Sequence, residues 1–364
     1  MKIFVFGSSI TSCYWNGAAT YYRGIYKNLH RLGHNITFAE PDIYGRQQKR
    51  DVGEIEYAKV RVYQSPTELE AVLEEANSAE LVIKHSGVGA DDQFLEAAVL
   101  DLRSPWRRVA FWDVDAPATL ARVRDDPRDP FRGLIPDYDF VLTYGGGKPV
   151  IDRYLDLGAK NCIPIYNGLD PETHHPVAPS PDLSCDLAFV GHRLPDREKR
   201  VQQFFLAAAG AVPDLQFNLG GEGWGGRQLP NNVRWIGHVG IGDHNVVNCS
   251  ARMVLNINRE SMAEVGFSPP TRVFEAAGSG ACVITDSWAG IEQFFEPEHE
   301  ILIANSADDI VRHLRKLDRE QSRRIGSTMR ERALRDHTYQ KRVEEVDRIL
   351  RSEEAAIRRT EVTA

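Results

Sequence analysis

Arg272 and Glu275 stand three residues apart in SPPTRVFEAAGSG, a spacing that puts both on one face of a helix. Ser268 is placed to cap that helix, and Pro269 and Pro270 suit its first positions because neither N–H there is needed. Val273, Phe274 and Ala277 form the apolar stripe, so Glu275 is expected to point away from the core. Free amides at a helix start favour an anion such as phosphate, and a carboxylate further along accepts hydrogen bonds from sugar hydroxyls. Together they point to a nucleotide-sugar; the competing reading of Glu275 is a solvated helix carboxylate.

Other chemistry-bearing residues follow predicted strands. Asp113 and Asp115 come directly after RVAFW, where two acids could bind sugar hydroxyls, support a metal or act as a general base. Asp115 could equally cap the next helix. His85 ends ELVIKH, as a catalytic group or as a satisfied structural histidine. The long loop GSSITSCYWNGAA offers Ser9, Tyr14, Trp15 and Asn16 to a polar ring of an acceptor, or is an ordinary surface connection. Arg193 and Arg197 follow CDLAFVGH and could neutralise a departing pyrophosphate, the alternative being a solvated basic helix face.

The elements positioning these residues read as two successive runs of strand, loop and helix. In the first half the strands are Lys2 to Phe6, Asn35 to Ala39, Glu80 to His85, Arg108 to Trp112, Asp139 to Tyr144 and one at Cys162; a second series begins at Cys185. Alternation of this kind predicts an α/β chain with two doubly wound, Rossmann-like domains facing a cleft. The first loop lacks the second and third glycines of a dinucleotide fingerprint, which argues against a nicotinamide cofactor. GGGK at 145–148 is not a phosphate loop, since Pro149 takes the hydroxyl position.

Arg272, Phe274, Glu275, Ala276, Gly280 and Asp286 spell R-x-F-E-A-x-x-x-G before a strand with an acidic turn. This resembles the donor-binding element of GT-B glycosyltransferases, in particular the CgeB-like proteins. The resemblance covers most of the chain and is strongest from Cys185 to Glu300. It implies that Glu275 holds the ribose of a nucleotide, that Ser268, Arg272 and Gly191 lie at the donor, and that the strand before His238 serves the base. It also favours a cleft position for Asp113 and Asp115. Related retaining enzymes carry a second glutamate eight positions upstream; that place is Phe267 here.

At 364 residues the chain exceeds the roughly 250–300 at which single cores stop growing. The expected division is an acceptor-side domain over 1–178, a donor-side domain over 179–336, and a helix over 337–364 crossing back, with a polar tail fraying after about Ser352. A net charge of −8 argues against a nucleic-acid partner. No apolar run is long enough for a membrane span, and MKIFVFGSSI reads as a strand rather than a leader, so a cytoplasmic protein is expected. Five cysteines without C-x-x-C spacing suggest reduced thiols and no metal. The expectation is a metal-independent glycosyltransferase using a nucleotide-diphosphate sugar, with no cofactor and an unidentified glycan, protein or small-molecule acceptor. A nucleotide-sugar epimerase or phosphorylase, or a non-catalytic two-domain binder, are the alternatives.

Overall fold

The computed structural model describes residues 1–363, with side chains described through Arg351 apart from Asp196. The expected fraying after Ser352 falls outside those side chains. The chain divides into two compact units, Met1–Asn167 with Tyr339–Ala364, and Gly168–Thr338.

The first unit holds seven strands: β1 (Lys2–Phe6), β2 (Asn35–Pro41), β3 (Lys59–Tyr63), β4 (Leu81–His85), β5 (Arg108–Asp113), β6 (Phe140–Thr143) and β7 (Cys162–Pro164). They pair in parallel in the order β3-β2-β1-β4-β5-β6-β7, so the winding reverses between β1 and β4. β4, β5 and β6 are buried at every position, as a parallel sheet covered on both faces requires. β3 escapes the sequence reading because KVRVY alternates charge with valine, the pattern of an edge strand wet on one face.

Tyr21, Tyr22, Tyr26 and Trp112 fill one side of this sheet, joined by Tyr339, Val343, Val346 and Leu350 of the helix Tyr339–Thr363. Trp112 Nε1 donates to Tyr21 Oη at 3.0 Å, and that hydroxyl donates to the Ile165 carbonyl at 2.6 Å, so these two buried polar tips are satisfied. Helix Ala19–Arg31 approaches the last helix through Gly24, where an added Cβ would lie 2.2 Å from the Tyr339 ring. Gly24→Ala is therefore expected to destabilise the first unit. Overpacking costs about 1–3 kcal/mol, more than the roughly 0.5–1 kcal/mol gained in helix propensity. Urea denaturation checks the sign.

The second unit holds β8 (Cys185–Val190), β9 (Phe217–Gly220), β10 (Val233–Gly237), β11 (Ala251–Asn256), β12 (Val283–Asp286) and β13 (Leu302–Ala304). They are parallel in the order β10-β9-β8-β11-β12-β13, with the reversal between β8 and β11. Its core gathers Phe189, Phe205, Phe217, Met253, Leu255 and Ile284.

The boundary lies earlier than 178. Segment 168–178, read from sequence as the end of the first domain, belongs to the second unit. Asn245 Nδ2 donates to the Thr173 carbonyl at 2.9 Å, and the His175 amide donates to Asn245 Oδ1 at 3.3 Å. Gly278 lets helix Thr271–Gly278 meet this segment closely, since a Cβ there would lie 2.4 Å from Leu169 and 2.6 Å from the His174 carbonyl.

Candidate functional site

In doubly wound sheets ligands sit at the carboxyl ends of the strands where the winding reverses. In the second unit that place is the exit of β8 beside the exit of β11. Gly191 follows β8, and a Cβ on it would lie 3.2 Å from both Arg197 Nη1 and Arg272 Nη2. The Arg272 guanidinium lies over the Phe189 ring at 5.4 Å and donates to Asn256 Oδ1 at 3.0 Å, which fixes its fork at the β8/β11 edge. Arg193 pairs with Glu198 at 2.7 Å, and Arg200 bonds Asp286, whose carboxylate also accepts from the Asn258 amide at 3.1 Å. The structure thus brings Gly191, Arg197 and Arg272 together and ties Arg193 to an acid.

The loop after β9 closes over the same edge. Trp224 Nε1 donates to the Gly191 carbonyl at 2.8 Å, and the Glu222 amide donates to His192 Nδ1 at 3.1 Å. The His192 ring stacks against His238, centroids 6.1 Å apart, and the His238 side chain is half exposed.

Helix Thr271–Gly278 begins two residues later than the prolines suggest. Its N-cap is Pro270, and Ser268 is buried upstream without capping it. Phe267 takes a left-handed backbone (φ 50°) with its amide bonded to the Ala289 carbonyl at 2.7 Å, a strained conformation for a bulky residue. Glu275 also departs from expectation. Every residue from Val273 to Gly278 is buried, and Glu275 is 7% exposed, facing neither core nor bulk solvent. It lies 3.7 Å from His244 Nδ1 on helix Ile241–Ser250 and close to His174. Burial alone would raise its pKa; His244, His174 and Arg272 more than offset this and hold it at about 2. The carboxylate is therefore ionised near neutral pH.

His174 and His244 were missed by the sequence reading. Both are ordinary residues in HHP and GDHN, far from Glu275 along the chain. Asn245 assembles them: besides bonding the 173–175 segment it accepts from Ser279 Oγ at 3.0 Å, one turn beyond Glu275. Burial depresses the pKa of His174, with Glu275 opposing.

In the first unit the polar residues of the β1 loop turn inward. Ser8 Oγ donates to Asn16 Oδ1 at 2.9 Å, Asn16 Nδ2 donates to the Ser9 and Ser12 carbonyls at 2.7 and 2.9 Å, and Ser9 Oγ bonds Thr11 Oγ1 at 3.3 Å. Ser9 and Asn16 are buried, and these bonds shape the loop rather than face an acceptor. Buried Glu40 accepts from the Ile10 amide at 2.6 Å, and Arg46 donates to the Ser8, Tyr14 and Trp15 carbonyls. What this frame presents outward is Trp15, 49% exposed, beside half-buried Tyr14, whose ring lies 3.5 Å from Lys49 Nζ.

Two of the three predicted catalytic groups are interior. His85 is 1% exposed, its Nε2 bonded to Tyr26 Oη at 2.5 Å and its Nδ1 to the Trp112 carbonyl at 3.1 Å. Burial lowers its pKa to about 3, so it is neutral and packed, without a face for general acid–base work. Asp113 is fully buried and accepts from Ser86 Oγ at 2.7 Å, the Asp115 amide at 2.9 Å, Thr119 Oγ1 at 3.0 Å and the Tyr154 hydroxyl. It organises the β5 exit. Asp115 stays half-buried at the N-cap of helix Ala116–Asp125, and its side chain makes no capping bond.

Residues 197–348 match the family model described as Glycosyl transferase-like. Residues 197–348 thus form a glycosyltransferase-like domain. Against curated proteins the sequence gives no match. Among solved structures the chain is similar to HepE from Anabaena in complex with UDP and glucose, at 13% identity over 97% of this chain and 100% of that one, TM-score 0.69. It is similar to sucrose-phosphate synthase from Thermosynechococcus elongatus at 14% identity over 98% and 100%, TM-score 0.70. An α-glucosyltransferase in complex with UDP-glucose and DNA containing an abasic site matches at 11% identity over 96% and 99%, TM-score 0.70. These likenesses establish the two-sheet GT-B fold for this domain and its companion unit. Among the described residues no helix is long and apolar enough to cross a membrane.

Proposed function

We propose that the protein transfers a sugar from a nucleotide-diphosphate donor to an acceptor hydroxyl, with uridine diphosphate as the carrier and without a catalytic metal. The observation that carries this reading is the convergence of Arg197, Arg272 and Gly191 at the β8/β11 reversal, with an ionised Glu275 one helical turn beyond Arg272. Two guanidinium groups that approach the backbone at Gly191 closely, where a side chain would crowd them, can neutralise the charge that grows as the glycosidic bond breaks. Glu275 accepts the two ribose hydroxyls. His238, half exposed on its stack with His192, borders the base. On the acceptor side Asp115 is the candidate for taking the hydroxyl proton, and Trp15 and Tyr14 offer ring faces to a sugar. The R-x-F-E-A-x-x-x-G run supports a CgeB-like assignment within the glycosyltransferases, and the absence of a long apolar helix among the described residues is compatible with a cytoplasmic site of action.

Calorimetric titration of uridine diphosphate into the full chain with EDTA present tests this. Saturable binding is expected, weakened about tenfold or more in Glu275→Ala, since a charged hydrogen-bond acceptor contributes about 1.5–3 kcal/mol. Absence of binding by any nucleoside diphosphate would remove the donor reading. Turnover of the sugar nucleotide without acceptor, to an epimer rather than a glycoside, would replace transfer by epimerisation.

A further inference from the structure

Three separate segments bring imidazole, imidazole and carboxylate to one point of the second unit. His174 comes from the chain before β8, His244 from helix Ile241–Ser250 and Glu275 from helix Thr271–Gly278. One donor atom from each lies within 4.8 Å of the others. The arrangement is built rather than incidental. Asn245, itself 7% exposed, bonds the backbone on both sides of His174 and accepts from Ser279 on the carboxyl-terminal side of Glu275. Gly278 permits the close approach of the 174 segment.

The second observation is His174 itself. It is 2% exposed, and its Nε2 has no hydrogen-bond partner, which is costly for a buried polar atom. A buried ring nitrogen without a hydrogen-bond partner, placed beside a second imidazole and a carboxylate, has the chemistry of a metal ligand. We infer that His174, His244 and Glu275 form a binding site for a first-row divalent cation such as zinc, and that the cation and a nucleotide ribose compete for Glu275. The competition rests on the donor reading above; the cation site does not.

The donor set is two neutral nitrogens and one oxygen, which suits zinc or cobalt and is poor for magnesium or calcium. Zinc bonds of about 2.0–2.2 Å place tetrahedral ligand atoms about 3.3–3.6 Å apart. His244 Nδ1 and Glu275 Oε2 are already at 3.7 Å. The His244 side chain is 22% exposed, so the cluster is open to solvent on that side. A cation on the carboxylate neutralises its charge and takes lone pairs that the ribose hydroxyls would use, so an occupied site weakens donor binding. The cation is thus an inhibitor and not a participant in transfer.

The full chain, stripped with chelator and free of nucleotide, is titrated with cobalt while visible d–d absorption is followed, and with zinc by calorimetry. One equivalent per chain is expected, weakened at least tenfold in His174→Ala and in Glu275→Gln. His244→Ala, at the more exposed position, gives the same loss. No saturable binding, or binding unchanged in these variants, overturns the site. Uridine diphosphate is then titrated with EDTA and with saturating zinc. Competition predicts weaker nucleotide binding with zinc in the wild type and no such effect in His174→Ala. A zinc effect that persists in His174→Ala reflects chelation by the nucleotide and overturns the competition. Failure of the nucleotide to bind even in EDTA sinks the donor reading alone, because the cobalt signal reports the cation site independently.

Discussion

Alanine at Asp113 is expected to lower the stability of the first unit by about 3 kcal/mol, well beyond the effect of removing an exposed catalytic acid. The carboxylate is fully buried at the end of β5, and four donors converge on it: Ser86 Oγ, Thr119 Oγ1, the Asp115 amide and the Tyr154 hydroxyl. Truncation leaves them in a low-dielectric interior without an acceptor. Each unsatisfied buried donor costs about 1–3 kcal/mol, offset in part because a buried charge is also removed and two hydroxyls can turn. Urea denaturation of Asp113→Ala reads the loss, and Tyr154→Phe, which deletes one donor and strands none, should cost about 1 kcal/mol. If Asp113→Ala unfolds at the wild-type denaturant concentration while transfer is abolished, Asp113 is a catalytic group after all. The same variant bears on Asp115. Its amide is held by Asp113, so Asp113→Ala is expected to lower activity through the position of the β5 exit loop, without a change in which group takes the proton.

Most of the architecture was legible because parallel sheets covered on both faces leave continuous apolar runs such as FVF, LVI and VAFW, each followed by a loop that begins with a small or polar residue. β3 was not legible, since an edge strand alternates and KVRVY carries lysine and arginine. The helix of Arg272 and Glu275 was legible as an element, but its one-sided amphipathic reading was not correct. Packing against helix Ile241–Ser250 and the 168–178 segment buries the face that periodicity assigned to solvent. The β1 loop shows the same limit. Ser9 and Asn16 look like ligand groups in isolation, yet their partners lie within the loop, whose shape is set by Glu40 and Arg46 from a later strand and turn. His174 and His244 carry no local signature at all, because the contact that makes them a pair depends on Asn245 and on a glycine at 278. Sequence spacing reports which residues share an element; it is silent on which elements meet.

His85 supplies a pH dependence that separates its structural and catalytic readings. In the folded chain its pKa is held down at about 3, chiefly by burial and also by neighbouring Lys84, with the Trp112 carbonyl opposing. In the unfolded chain it titrates near 6.5. Between these values the unfolded state binds a proton that the folded state does not. The contribution is therefore fully present above pH 6.5 and is lost as pH falls toward 3, at about 1.4 kcal/mol per pH unit and roughly 5 kcal/mol over the whole window. His34, His174 and His192 also have lowered pKa values and add to the acid sensitivity of the wild type, as do paired carboxylates with lowered values such as Glu275 and Asp51. A comparison of slopes cancels these common contributions. His85→Phe keeps a ring among Tyr22, Tyr26 and Trp112, and although it strands the Tyr26 hydroxyl, that cost is independent of pH and shifts only the intercept. The unfolding free energy of the variant, measured in urea from pH 7.5 downward, should fall less steeply than that of the wild type by about one proton. A general base must meet water and bind a proton near neutral pH in the folded protein. Parallel slopes for the two proteins would mean that His85 does so, restoring it as a catalytic candidate; a difference of one proton fixes it as part of the core.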